Sequence, residues 1–547
     1  MTDIECDVLI VGSGIGGLTA AIAARMSGLK PLLVEKLHQI GGSSALSGGV
    51  LWLPNNPLMV REKILDSREA ALTYLANFVS EGDPGATEAR RAAFVDGVTP
   101  LVAILESQGI PLMRCEGYSD YYDLLPGGNS TGRSLETQVF DANQLGSWRH
   151  RFKRQNFPVP ARASESAVLT QMGVSWEGRT KAAEVALRAT RARLTGKRLL
   201  SAGAALQGRL LLAALQNSIE IKTNAALVDF VTEGGRVIGA EVDFDGWKRS
   251  VRARHGVVIA AGGFSHNDAM RRRYQREPVA TELSHANPGD TGEAIEAMVH
   301  LGASLGWMDE AWWVMGFATD IKGTTSQTVP ELHKPHVVLV DGSGRRFVNE
   351  AAPDMEIGRA CYARNSTSPA IPAWAIIDAR HRRRYPFAFA LPGHTPKAWL
   401  KQGLVRKDRN IDGLARQCGI DPAGLEATIT RWNVMTRRGV DEDFGKGRSA
   451  YNRYYGDATH DPNPCMGEIR DAPFYAFPLK PGDVGTCGGV VTDEHARVKR
   501  ADGTVIDGLY ATGNCTSPLA GPHDIGAGQS IGTSAVFGMI AVRHIVS

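Results

Sequence analysis

The clearest alternation of apolar and polar positions stands at the start of the chain. "CDVLIVGSGIGGLTAAIAARMSG" reads as an apolar strand, a glycine turn and an amphipathic helix. A second apolar run, "KPLLVEK", predicts the next strand. The strand-plus-glycine theme returns in "HGVVIAAGGFSHN" (255–267) and "IDGLYATGNCTS" (506–517). The latter runs through the glycine loop "SPLAGPHDIGAGQSIG" into a last predicted helix, "GQSIGTSAVFGMIAVRHI". Strand signals stop near "NDAMRRRYQREPVATELSHANPGD", where polar loop residues take over. Between Asp141 and Leu200 the pattern weakens: "TKAAEVALRATRARLTGKRLL" reads as a basic helix and "NFPVPARASES" as loop, and no internal repeat appears. Strands alternating with helices predict an α/β fold.

At 547 residues the chain is too long for one core, which predicts two or three lobes. Hydrophobic residues at 43% and charged residues at 22% fit a globular protein. The net charge is only +3, and the densest basic stretch, "WRHRFKRQNF" (148–157), reads as a solvated face or a mobile loop, so nucleic-acid binding is not expected. Seven cysteines form no C-x-x-C pair, and no histidine or acid spacing suits a metal. Together with an N-terminus that leads straight into a strand and no apolar run of membrane length, this predicts a cytoplasmic protein without an integral membrane segment.

Gly12, Gly14 and Gly17 have the G-x-G-x-x-G spacing of a dinucleotide turn: a tight bend, a close backbone approach to pyrophosphate, and a helix free to pack on its strand. Phosphates are expected at the helix N-terminus, and Glu35, closing the second strand, is placed for ribose hydroxyls. A second small-residue loop, Gly41 to Gly49, favours a flavin over a nicotinamide, since an isoalloxazine must lie against bare backbone. The last helix is expected to aim its positive end at the N1–C2=O edge of that ring. The expected cofactor contacts are Gly12, Gly14, Gly16 and Gly17; Glu35 and Lys36; Gly42, Ser43, Ser44, Gly48 and Gly49; Ala261 and Gly262; Gly513 and Asn514; and Gly528, Ser530 and Ile531.

The stretches "GGSSALSGGVLWLPNN", "GYSDYYDLLPGG", "AAGGFSHNDAMRRRY", "DEAWW", "GRRFVNEAAP", "DEDFGKGRSAYNRYYGD", "DAPFYAFPLKPGDVGTCGG" and "GLYATGN" carry a resemblance that spans nearly the whole chain. In these the chain resembles the FAD-dependent oxidoreductase family of fumarate reductases and 3-ketosteroid dehydrogenases, nearer its ketosteroid Δ1-dehydrogenase branch. The resemblance implies a Rossmann-like FAD-binding domain (1–278 and 476–547) with an inserted α+β substrate or capping domain (279–475). Covalent-flavin members carry a histidine in the first glycine loop; Ser43 and Ser44 stand here, so FAD is expected to be non-covalent.

In the branch resembled, a base takes the proton α to a ketone, donors hold the carbonyl oxygen, and hydride passes to the flavin. The resemblance implies tyrosines for base and donor, but this sequence has Asp354 at the first position and Asp524 at the second, with Gly528 as the N–H donor. Fumarate reductases carry arginines at these two places; none is here, which disfavours a dicarboxylate. A third tyrosine position falls among Tyr118, Tyr121 and Tyr122, with Tyr121 preferred. Each candidate has a plainer reading: Asp354 as a helix cap, Asp524 as a turn residue, Tyr121 in a packed loop, and His523 as loop lining rather than proton carrier. "WLPNN", "EAWWVMGF" and "DYYDLLPGG" offer apolar lining for a cyclic ketone of steroid size or smaller. Three functions follow: a ketone α,β-desaturase with an unknown electron acceptor, an ene-reductase running the other way, and a flavoprotein that has lost its chemistry.

Overall fold

The computed structural model describes residues 4–80, 82–153 and 159–547. Its first sheet is built on the opening strand Ile4–Val11, which lies parallel between Trp247–Ile259 and Pro31–Glu35. Val505–Ala511 extends the sheet beyond Trp247–Ile259, and Glu220–Thr223 extends it beyond Pro31–Glu35, both in parallel. All parallel strands therefore end at one edge, where the glycine turns collect. Their central positions are apolar on both faces: Val8, Leu9 and Ile10 are fully buried, as expected for a sheet covered by helices.

One face is covered by Ile15–Met26 and Gln529–Val546, which cross where glycine removes the side chain. A Cβ on Gly16 would stand 2.5 Å from Ser534 Oγ, and one on Gly538 would stand 2.4 Å from Gly16 O. The crossing sets the start of the first helix against the middle of the last, at Ser534 and Gly538.

The second sheet is antiparallel, in the order Thr325–Gln327, Ala311–Ala318, Phe474–Thr486, Ala373–Ile377 and Val337–Val340, with Arg406–Asp408 also paired to Phe474–Thr486. The expected domain edge at 475 falls inside Phe474–Thr486, whose pairing lies wholly with this sheet. Apolar alternation shows a strand there without showing which sheet accepts it. The helix Asp354–Asn365 packs on this sheet through Ile357 and Cys361.

In the described part of the basic stretch His150 and Arg151 are exposed, as expected, but its backbone is tied down. Ile40 N donates to Arg151 O at 2.7 Å, Lys153 N donates to Ile40 O at 3.0 Å, and Phe152 is buried. The rest of that stretch, 154–157, lies outside the described residues, as does part of the loop expected at 156–166. Among the described residues no helix is long and apolar enough to cross a membrane.

Candidate active site

The dinucleotide turn has the expected geometry. Gly12 has φ +103°, and a Cβ there would meet Ala260 O at 2.2 Å. A Cβ on Gly17 would lie 1.9 Å from Gly12 O, so this glycine serves the close return of helix onto turn. Both N-termini keep N–H groups beyond the first, which is taken by Ser44 Oγ at Ile15 (3.1 Å) and by Gly526 O at Gln529 (3.0 Å). Gly14 precedes the first helix and Gly528 precedes the last; neither helix has a side-chain cap or an acid in its first turn. Unpaired N–H groups and helix dipoles at both ends suit anionic oxygens.

The other expected cofactor residues divide into two groups. Glu35 is buried at the strand end, where its Oε2 accepts from Ser13 N (3.0 Å) and Ser13 Oγ (2.6 Å) and its Oε1 from Leu37 N (2.9 Å). Ser44 Oγ accepts from Ile15 N at 3.1 Å, tying the second glycine loop to the first helix. Ser43 Oγ donates to Asp290 Oδ2 at 2.7 Å, and a Cβ on Gly262 would strike the same carboxyl. Asp290 was not anticipated; burial pushes its carboxyl up to about 7, against the pull of Ser43. Asn514 accepts from Trp312 Nε1 at 3.1 Å, and a Cβ on Gly513 would stand 2.8 Å from Ser534 Oγ. Around Gly48 a Cβ would meet nothing within 4 Å, leaving bare space. Three residues depart from expectation. Lys36 is drawn aside to Glu293 (2.9 Å) and Thr291. Gly49 abuts the backbone of Ala202, and Ile531 packs on the hydrophobic core; both serve packing. Ser530 lies in the first turn of the last helix, half-buried.

The loop bearing Asp524 is held from several sides. Ile525 O accepts from Tyr74 Oη (2.7 Å) and from Tyr121 N (3.1 Å), while Ile525 N donates to Gln529 Oε1 (2.8 Å). Ser134 Oγ donates to Ala527 O at 2.9 Å. The tyrosine loop is anchored in turn by Asp120, which accepts from Trp52 Nε1 (2.8 Å) and Arg133 (2.7 Å); Arg133 also meets Asp66. Trp52 is thus buried packing, stacked on Phe94 at 5.9 Å, and not the substrate lining that "WLPNN" suggested. Trp313 is likewise buried, its indole donating to Glu310 at 3.1 Å.

Asp354 arrives on the helix packed against the second sheet. It is the first residue of its helix; Pro353 holds the cap position, and the Asp354 side chain makes no capping bond. The cap reading therefore fails at this residue. The approach to it is rigid: Arg346 grips Glu350 (2.7 and 2.8 Å) and Asp441 (2.9 and 2.8 Å) and lies over the Trp432 ring.

Asp354 and Asp524 are each half-buried, and they lie near enough for the charge of Asp524 to act on Asp354. Burial, then the charges of Asp524 and Glu331, hold the Asp354 carboxyl well above the usual carboxylate range. Burial raises Asp524 to about 7, with a small opposing pull from Gly526 N–H. Tyr121 is also pushed up, by burial and then by Asp524, and so stays a phenol. His523 goes the other way: burial and Arg359 lower it to about 4, so it is neutral and not the proton carrier expected near neutral pH. It packs against Phe78 at 5.4 Å, as loop lining.

Sequence reasoning missed Tyr451. Its ring lies 4.3 Å from that of Tyr121, and its buried Oη has no hydrogen-bond partner among the described residues. The charges of both Asp354 and Asp524 act on it. The stretch "SAYNRYYGD" held the signal, an aromatic cluster next to glycine, without showing which tyrosine turned inward.

An FAD binding domain family model matches residues 7–531. The chain belongs to this FAD-binding flavoprotein family. A 3-oxosteroid 1-dehydrogenase of Mycolicibacterium smegmatis is 39% identical over 562 residues, covering 100% of this chain and 98% of the relative. A 4-oxocyclohex-2-ene-1-carboxylate 5-dehydrogenase of Sinomonas cyclohexanicum is 30% identical, covering 99% and 94%. Among solved structures, a 3-ketosteroid delta1-dehydrogenase from Sterolibacterium denitrificans in complex with 1,4-androstadiene-3,17-dione superposes with TM-score 0.92 at 35% identity, covering 99% of each chain. The protein is an FAD-dependent oxidoreductase, and the helix N-termini, bare glycine loops and buried Glu35 fit that cofactor. Because serines stand where attachment would need a histidine, acid precipitation should leave a white pellet and a yellow supernatant. A pellet that keeps the colour would show a covalent flavin.

Proposed function

We propose that the protein desaturates a cyclic, largely apolar ketone at the α,β bond. The observation that carries the reading is the tie between the Tyr121 loop and the Asp524 loop (Tyr121 N to Ile525 O, 3.1 Å), with Asp354 near enough for the Asp524 charge to act on it. Gly528, with its N–H free of protein acceptors among the described residues, begins the helix beside them. The names of the relatives, which act on 3-oxosteroids and oxocyclohexene carboxylates, support the substrate class.

Asp354, when ionised, takes the α-proton onto its carboxylate; a carboxyl raised by burial is a stronger base than a free one and so closes part of the gap to a phenolate. Asp524 in its acid form donates to the ketone oxygen together with Gly528 N–H, holding the enolate charge as it develops. Tyr121 and Tyr451 keep their protons and wall the site against water. Bound FAD supplies the acceptor for the hydride leaving the β-carbon. The C–H electron pair of the α-carbon becomes the new double bond.

Flavin reduction should fall as Asp524 ionises near 7 and its donor to the ketone oxygen is lost. Asp524→Asn keeps a donor and has nothing to ionise, so that descending limb should vanish. Stopped-flow bleaching without oxygen, with 3-oxosteroids and simple cyclohexanones, measures this directly. A descending limb that persists in the variant, or no bleaching by any cyclic ketone, would remove the reading. One observation favours the reverse reaction as a second reading: a raised Asp354 holds a proton ready for the α-carbon of an enone. Re-oxidation of reduced FAD by enones separates the two directions.

A further inference from the structure

Lys153 belongs to the basic stretch that no expected function used, yet its surroundings are those of the cofactor. The backbone hydrogen bonds of Arg151 and Lys153 to Ile40 lay this segment along the second glycine loop. A Cβ on Gly41 would lie 3.8 Å from Lys153 Cβ, and one on Gly42 would lie 3.7 Å from Gly14 Cα, at the dinucleotide turn. The Lys153 ammonium donates to Asn287 Oδ1, whose own backbone N–H donates to Ser43 Oγ at 2.7 Å. The charges of Asp290 and Glu35 both act on it, while burial lowers its pKa.

Bound FAD brings a pyrophosphate dianion to a place that already holds Glu35 and Asp290. The neighbouring cation, Lys36, is engaged by Glu293. Among the described residues Lys153 makes no ion pair with a carboxylate, so its charge is available. An ammonium on a flexible four-carbon stem can turn from a neutral amide to a phosphate oxygen at the cost of one neutral hydrogen bond. The charge-assisted bond that replaces it is about twice as strong.

We propose that Lys153 binds the FAD pyrophosphate, with Asn287 parking the ammonium when the phosphate is absent. The helix N-terminus at Gly14 then takes one phosphate through backbone N–H groups, and Lys153 neutralises the charge from the opposite side of the loop.

The test needs no turnover. Apoprotein of the wild type, Lys153→Met and Lys153→Arg is titrated with FAD by fluorescence quenching at low and high salt. Removing a charged contact should weaken FAD about 10- to 100-fold in Lys153→Met, most strongly at low salt. Lys153→Arg should recover most of the loss, which shows that the segment still folds. ADP as a competitor should lose affinity by a similar factor, while adenosine should keep its own. Unchanged FAD binding in Lys153→Met, equal losses for ADP and adenosine, or an Arg variant as weak as the Met variant would each overturn the assignment.

Discussion

Asp354→Asn should cut the rate of anaerobic flavin reduction by a cyclic ketone about 10³-fold, since a positioned general base contributes typically 10²–10⁴. The asparagine occupies the same volume at the helix start, and the segment before it is clamped by Arg346, Glu350 and Asp441, so FAD content should not change. A stability effect of opposite sign should accompany the loss. A carboxyl whose pKa is raised on folding binds more protons in the native state, so its contribution to stability falls as pH rises from its unfolded value, ~4, towards its folded one. The variant should therefore melt higher than the wild type at mildly alkaline pH and match it at pH below ~4, where both are neutral. Bleaching at the wild-type rate would leave Asp354 without a catalytic part.

Glu350→Ala should cost about 3–5 kcal/mol, because it strands buried partners instead of removing a pair. Glu350 is fully buried; it accepts from Arg346 at 2.7 and 2.8 Å, from Leu339 N at 3.1 Å, and lies 3.5 Å from Lys446. Asp441 still meets Arg346 in the variant, but Lys446 keeps the carbonyl of Val337 and the face of Trp432 with no carboxylate bonded to it. Denaturant unfolding measures the loss, and Glu350→Gln, which retains one acceptor and the shape, should lie between. A variant as stable as the wild type would show that the network contributes no net stability.

The first lobe was legible because its signals are local. Gly12, Gly14 and Gly17 sit within one turn, and strand, turn and helix follow in sequence, so spacing alone implies the geometry. The second sheet was not, because apolar alternation in Phe474–Thr486 does not say which strands accept it. The same division runs through the site. Asp354 and Asp524 were reached by their place within motifs. His523 was misjudged because its pKa depends on burial and on Arg359, which lies far away in sequence. Trp52 was misjudged because nothing local reveals that Asp120 holds its indole. Tyr451 and Asp290 were missed for that reason too: each acts through neighbours contributed by distant segments.

Asp354 rides on a helix of the second sheet, whereas Asp524 sits in a loop of the first. The pair thus depends on the two sheets holding these elements together. Any motion that parts them wets both carboxyls and returns each to ordinary acidity, so protons leave as the site opens and are taken up again as it closes. Closure over a substrate is then a proton-uptake step at Asp524 around neutral pH. In buffers of low and high ionisation enthalpy at equal pH, calorimetry would record different apparent heats for the same binding event.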